Sequence, residues 1–517
     1  MSNDCWRLAC EVEPTPEKNN LKTGVTGIEK KSRFITRGGI AGGAYRPLSD
    51  SEIEKVCETS FKLLEKVGVL VHEPEALEFF KRANASVNPK TKTVRISKSL
   101  INDCLETLPS RVILHARDES HKLVLEDSRV YAGTGGTALN ILDSNTDFTR
   151  PALLQDLNTI CRLVDALENI HFIVLPTYPN DLDVNRVDVN RFFAGLSNSS
   201  KHIMGGVYTL EGLRQVVRLG EIIAGDAKSL RKRPILSVIT CVMSPLKLDS
   251  HYAQLMIEAA KTGIPLCVPA EPLAAATAPA TLAGTLAVQV ADSLAGLVLT
   301  QIVNPGTPVI FGSVATTTDL RDMKYLGASV ESGLLNAAGA QIAQHLNVPY
   351  YATAGMSDSK TIDCQCGYES ALTLLLTALS GANFIHDAAG LMEFANTVSF
   401  EKYVIDDDII GMVMRAVRGI KVNTSTLAFD AIRRVGPGGN FLSERHTVKH
   451  MRSENYLPTL ANRDRREKWV ADGKKNTYLY ATEKVKEILG RHKSLPLSDA
   501  IHGAIREEFQ GILVERD

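Results

Sequence analysis

"VPYYATAGMSDSKTIDCQCGYES", Val348 to Ser370, changes character within a few residues. An apolar, β-branched and aromatic run ends at Gly355, and Ser357, Asp358, Ser359, Lys360, Asp363 and Gln365 crowd in behind it. The first half has the unbroken apolar character of a strand buried on both faces. The same kind of run recurs as "HFIVLPTY" at 171, "KHIMGGVY" at 201, "PILSVITCV" at 234, "IPLCVPAE" at 264, "PVIFGSVA" at 308 and "NFIHDAAG" at 383. Amphipathic segments lie between. One is "TLEGLRQVVRLGEIIAG", with Leu210, Leu213, Val217 and Gly220 on one side; another runs through Leu334, Leu335, Ala338, Ile342 and Leu346. Strands alternating with helices at steps of 30 to 44 residues mean a parallel sheet. Seven runs plus an eighth, in "YAGTGGTALNIL" or near Ile420, favour a closed (β/α)8 TIM barrel over an open sheet.

Outside the barrel the composition divides the chain. Residues 1–42 are polar and rich in Lys and Gly, and read as a flexible tail. Residues 43–130 read as a small α/β lead-in that begins with a Ser/Asp-capped helix ending at Gly68. The barrel is expected over 131–436. A C-terminal extension over 437–517 has two helical patterns and is expected to pack on the barrel or on a partner subunit, as in a homo-oligomer. The longest apolar stretch, Thr281–Val303, is interrupted by Gln289, Asp292 and Ser293 and reads as a buried helix, not a membrane span. With 58 Lys and Arg against 59 Asp and Glu, the charge balance calls for no nucleic acid. Charges at Asp4, Arg7, Glu11 and Glu13 stand where a signal peptide needs an apolar core, so a cytoplasmic protein is expected. Nine cysteines without disulfide-rich spacing read as free thiols, and the lone Cys364-x-Cys366 lacks the second pair of a zinc site. His446 and His450 in "HTVKH" have the spacing of a metal pair but no intervening glutamate, so no metal is expected.

In a parallel barrel the loops at the strand C-termini build the site. The informative segments are therefore Pro176–Pro179, Gly205–Tyr208, Thr240–Ser244, Pro269–Glu271, Ser313–Arg321, Ala354–Lys360 and His386–Glu393. His386 and Asp387 end one run together. Glu271 would be a costly charge to leave unpaired in the mouth. Asp358 either caps the next helix or serves the site, and Glu331 either complements a helix dipole or does the same. Gly133, Gly135 and Gly136 break the dinucleotide spacing and read as a tight turn. Tyr350, Tyr351, Phe384 and Phe394 are core residues unless they turn inward, where ring faces hold a cation. Lys360 also admits a Schiff-base role in an aldolase-like barrel.

Several segments together resemble the trimethylamine methyltransferase (MttB-like) superfamily of corrinoid-dependent methyltransferases. They are "YAGTGGTALNILDSNTDFTRPALLQDLNTICRLVDALENIHF", "TAPATLAGTLAVQVADSLAGLVLTQIVNPGTPVIFG", "GMSDSKTIDCQCGYE", "NFIHDAAGLMEFANTVSFEKYVIDDDIIGMV" and "HTVKHMRSENYLPTLANRDRREKW". The resemblance implies a TIM barrel that moves a methyl group from a methylated amine to the cobalt of a separate corrinoid protein, with no corrinoid resident in this chain. Some members carry pyrrolysine near this strand end; here Gly355-Met356-Ser357 occupies that neighbourhood. Members without it resemble methyltransferases for quaternary amines such as glycine betaine, proline betaine or carnitine. The stretch "TTTDLRDMKYLGASVES" departs from a pattern expected to be richer in Gly and Pro. On this reading His386 orients the substrate, with Asp358 and Gln365 behind it as catalytic support. Tyr350, Tyr351, Phe384, Phe394 and Glu271 hold the ammonium, and Arg321, Lys324, Lys360 or His386 meets a betaine carboxylate. The alternatives are a trimethylamine or other methylamine:corrinoid methyltransferase, and a non-catalytic betaine-binding or corrinoid-docking subunit.

Overall fold

The computed structural model describes residues 36–509 apart from 144, 145 and 147. Most of the expected N-terminal tail therefore lies outside the described residues.

All seven apolar runs are strands, and the eighth place belongs to the start of "YAGTGG". The barrel strands are β1 Arg129–Thr134, β2 Phe172–Val174, β3 His202–Gly206, β4 Leu236–Ile239, β5 Leu266–Ala270, β6 Val309–Ser313, β7 Tyr350–Thr353 and β8 Phe384–Ala389. Each pairs in parallel with the next, and β8 closes on β1 with Phe384 opposite Tyr131. The segment near Ile420 lies past the last barrel helix and is not a strand. The helices following the strands are α1 Leu154–Asp165, α2 Val184–Asn198, α3 Leu210–Ala224, α4 Ser250–Thr262, α5 Leu282–Val303, α6 Val330–His345, α7 Cys364–Leu379 and α8 Phe400–Val417.

α5 is apolar all round because it is covered all round. Its inner side meets β5 and β6, and the N-terminal helices Asp50–Lys62, Pro74–Arg82 and Lys98–Thr107 lie over its outer side. By length and hydropathy it is also the one helix among the described residues that could cross a membrane, and 83% of that stretch is buried. The lead-in strands Val69–Val71, Ser86–Asn88 and Thr93–Arg95 form a small sheet, which Lys247–Leu248 from the β4–α4 loop joins in parallel.

Beneath the barrel a hairpin, Val112–Leu114 with Leu123–Leu125, packs into the same inner cluster as Tyr131, Phe172, Met204, Cys267, Ile310 and Phe384. It is tied to the strand entrances, His115 N donating to Pro234 O and Asp118 N to Ser200 O. That hairpin stops the lower pole, so polar side chains inside the barrel face the upper, C-terminal mouth.

Candidate active site

Strand alternation decides which side chains enter the mouth. On β7, Tyr351 and Thr353 face inward while Tyr350 points out against α6, at Gly339, where any Cβ would overlap its hydroxyl. On β8, Phe384 and His386 face inward. The alternation then breaks at Asp387, whose φ is 63°, and the β8–β1 register slips between Ile385 and Ala389. Such a bulge re-aims a side chain. Here it turns Asp387 onto its neighbour, with His386 Nε2 2.9 Å from Asp387 Oδ2. The other ring nitrogen, Nδ1, lies 3.0 Å from Ala352 O and 3.2 Å from Thr353 Oγ1, and the ring stacks on Tyr351 at 4.2 Å. The imidazole is fixed on both edges and one face. Gly135 completes the setting: a Cβ there would overlap Asp387 Oδ1 and Leu391 Cδ1. The glycine run that reads as a tight turn thus makes room for a carboxylate.

Glu271 follows β5 and stands in the same well, accessible from the mouth yet walled by protein. Burial, then the nearby Asp387 carboxylate, push its carboxyl up to about 7, against the opposing pull of His386. A half-circle of tyrosines surrounds this acidic pair. Tyr325, from the hairpin after β6, has its hydroxyl pushed well up by burial and by Glu271, Asp387 and Asp358. Burial and the charges of Cys241 and Glu271 also raise Tyr252, on the first turn of α4. Tyr351 is raised well up by burial, with Asp387 and Glu271 among the further causes. Tyr178 and Tyr208 pack edge-to-face at 5.2 Å on the opposite side. Arg191 supports them from below, 5.5 Å from the Tyr208 ring, its guanidinium donating to Thr177 O, Gly206 O and Leu175 O. The whole is a well of tyrosine rings around two carboxyls and one imidazole.

Of the residues expected from sequence, His386, Tyr351 and Glu271 meet in the well. Asp358 lies beside it, 7% exposed, reaching back to the Tyr325 hairpin where Ala328 N donates to it at 3.3 Å. Burial raises its carboxyl to about 6. Gln365 is one step further out: its Nε2 donates to Glu369, which also accepts from Asp358 N and Ser357 Oγ. Lys360 is exposed, its Nζ 4.2 Å above the Phe394 ring and donating to Asp358 O. These two residues engage each other at the rim.

Four placements differ from the sequence expectation. Tyr350 faces out of the barrel because it has the opposite phase to Tyr351. Phe384 does turn inward, but it is sealed in the layer beneath the well, 3.5 Å from Phe172 and 5.6 Å from Tyr351. Arg321 sits at the tip of the hairpin Thr316–Asp319/Lys324–Leu326, 88% exposed and paired with Asp319 at 2.6 Å. Lys324 is likewise held by Asp322. Tyr178 and Tyr208 fall inside segments the sequence marks as mouth, although nothing singles them out there. Tyr252 and Tyr325 escape sequence reading, since one opens a helix and the other ends a loop excursion.

The chain matches a protein-family model described as trimethylamine methyltransferase (MTTB) over residues 18–510. It is 34% identical to the trimethylamine methyltransferase MttB of Desulfitobacterium hafniense strain DSM 10664 / DCB-2, covering 92% of this chain and 96% of that one. It is 31% identical to the glycine betaine methyltransferase of D. hafniense strain Y51, over 91% and 97% of the two chains. The trimethylamine methyltransferase MttB of Methanosarcina barkeri is 34% identical, over 90% and 94%.

Proposed function

The chain belongs to the trimethylamine methyltransferase family and is a methyltransferase; we propose that its donor is a quaternary amine and its acceptor the Co(I) of a separate corrinoid protein. The acceptor supplies the nucleophilic electron pair that forms the new bond to the methyl carbon. The C–N bond breaks with its pair left on nitrogen, and a neutral tertiary amine departs without needing a proton.

The task left to the protein is to hold an onium ion and aim one methyl group out of the mouth. Ring faces attract a quaternary ammonium through their quadrupoles, and the tyrosines around Glu271 offer several. The observation that carries the reading is Glu271 itself, a carboxyl raised to about 7 amid phenols. A fully ionised, close-contact anion would hold the donor more tightly than the transition state, in which the nitrogen charge is disappearing. A weak anion behind rings draws the cation in without that penalty. Fixing the N–CH3 axis supplies several kcal/mol through orientation; His386, locked by Asp387, Ala352 O and Tyr351, is the rigid reference for it. Arg321 and Lys324 are engaged on the hairpin, Lys360 on Phe394, and both ring nitrogens of His386 on Asp387 and Ala352 O, so a carboxylate on a betaine-class donor must compete with one of these pairs to bind there.

The test is incubation of the purified protein with a Co(I) corrinoid protein and a panel of methylated amines, following the cobalt spectrum. Loss of the Co(I) spectrum with quaternary amines is expected. Reaction with trimethylamine and with none of the quaternary amines would overturn the donor assignment.

A further inference from the structure

The well has two electrically different walls. Glu271 and Asp387 stand at the ends of β5 and β8. The wall built by the ends of β1, β2 and β3 is backed by Arg191, which reaches up from α2 and is fully buried. All five of its N–H bonds are spent. Nε donates to Thr177 O at 3.0 Å, Nη1 to Gly206 O at 3.2 Å and Tyr208 OH at 3.4 Å, and Nη2 to Thr137 Oγ1 at 3.1 Å and Leu175 O at 3.0 Å. Each of these acceptors is uncharged. Asp188, one turn earlier on α2, is near enough to feel the guanidinium, but its oxygens bond Tyr208 N, Thr209 N and the Thr209 hydroxyl. Arg191 therefore lends a positive charge to this wall without touching what lies in front of it.

Two of the five acceptors are hydroxyls, and that fixes what they can offer. A guanidinium only donates, so the Thr137 and Tyr208 oxygens accept from it and their protons point away from it. Both residues are half-buried at the mouth. Gly206, at the end of β3, shares the inward phase of Met204, and a Cβ on it would meet nothing within 4 Å. The space over Gly206 is therefore open. The Tyr208 ring is a poor seat for an ammonium, because Arg191 already lies 5.5 Å from its centre. What this wall suits is an anion, since a carboxylate accepts both O–H donors and hydrogen bonds to a charged group are the strong ones. Tyr252 stands within electrostatic reach of both Tyr208 and Glu271, so the two walls face one cavity. A well positive on one side and acidic on the other matches a zwitterion.

We propose that the Thr137 and Tyr208 hydroxyls, with Arg191 as the positioning residue behind them, form a carboxylate subsite, and that the donor is a betaine with its carboxylate there and its ammonium toward Glu271. This rests on the quaternary-amine reading above and goes beyond it by choosing among such amines. The experiment is titration calorimetry on the full chain without the corrinoid protein, comparing glycine betaine with choline, which has a hydroxyl in place of the carboxylate. Wild type should bind glycine betaine about a hundredfold more tightly, from two hydrogen bonds to a charged group at about tenfold each. Tyr208→Phe and Thr137→Val keep the shape and remove one hydroxyl each. Each should cut that preference about tenfold, and the two together should abolish it, while Thr137→Ser retains it. Arg191→Met should lower the preference as well, and Arg191→Lys, which returns the charge, should recover part of it. Equal preferences in those two take Arg191 out of the subsite. A wild type that binds both ligands equally, or choline more tightly, overturns the proposal and leaves the quaternary-amine reading standing. A preference that survives in Tyr208→Phe/Thr137→Val also overturns it. Binding of neither ligand overturns both.

Discussion

Glu271 is where pH enters the chemistry. Its carboxyl is raised to about 7 by burial and by Asp387, so the well gains a negative charge as pH climbs through neutrality. KM for a quaternary donor should therefore fall as pH rises through about 7. Glu271→Gln should flatten that profile and leave KM at pH 8 about tenfold higher, which corresponds to ~1.4 kcal/mol of lost attraction. Stability should move the other way. A carboxyl with a raised folded-state pKa holds its proton longer when folded than when unfolded, so it costs stability as pH rises from about 4.5 to about 7. The Gln variant should melt higher than wild type at pH 8 and level with it at pH 4, read by thermal denaturation across pH. Gly135 tests the opposite wall. Gly135→Ala places a methyl against Asp387 Oδ1 and Leu391 Cδ1. Displacing the carboxylate should cut kcat/KM at least tenfold, at an overpacking cost of about 1–3 kcal/mol. An alanine enzyme with wild-type turnover would show that Asp387 does not need its present position.

Elements, more than residues, set what the sequence could disclose. Seven barrel strands are legible because a strand buried on both faces is apolar throughout. The same property hides its phase: in "VPYYATAG" nothing distinguishes the inward Tyr351 from the outward Tyr350. The eighth strand is obscured by Gly133, Gly135 and Gly136, which look like punctuation and instead serve close approach, Gly133 to Phe172, Gly135 to Asp387 and Gly136 to Val174. The β8 bulge is invisible for a different reason, since φ at Asp387 is imposed by its bond to His386 and by the strand pairing, not by local propensity. Tyr325 arrives on a hairpin that no strand or helix pattern announces, and the structure gives that hairpin a local tether in Asp358. Removing the tether should loosen the element without unmaking the well. Asp358→Ala should speed hydrogen exchange over residues 324–328 and raise donor KM by about three- to tenfold, the range expected for losing one ordinary hydrogen bond. Unchanged exchange there would mean that Thr316, whose hydroxyl bonds Leu326 O, holds the hairpin unaided.

At the scale of the whole chain, the C-terminal extension works as a strap. From residue 455 onward it returns along α8, rises, descends as the helix Thr477–Arg491 against α8 and α1, and crosses beneath α2, where Ser494 Oγ meets Asn198 O. His492 is held by Asp165 at 2.8 Å, and Arg117 donates to Leu495 O and Pro496 O. The strap starts at one carboxylate: Asp408, buried on α8, accepts from Thr459 N, Leu460 N, Thr459 Oγ1 and Tyr456 OH. Next to it Asp407 accepts from Asn169 N at 2.8 Å, so the two acids join α8 to the strap and to the entrance of β2. Asp408→Ala leaves the two amides without their partner and should cost about 2–4 kcal/mol. Limited proteolysis should then cut within residues 455–476 before the barrel unfolds. A variant that stays resistant to protease there would place the strap's hold in Arg415, Arg418 and the helix Thr477–Arg491 rather than in Asp408.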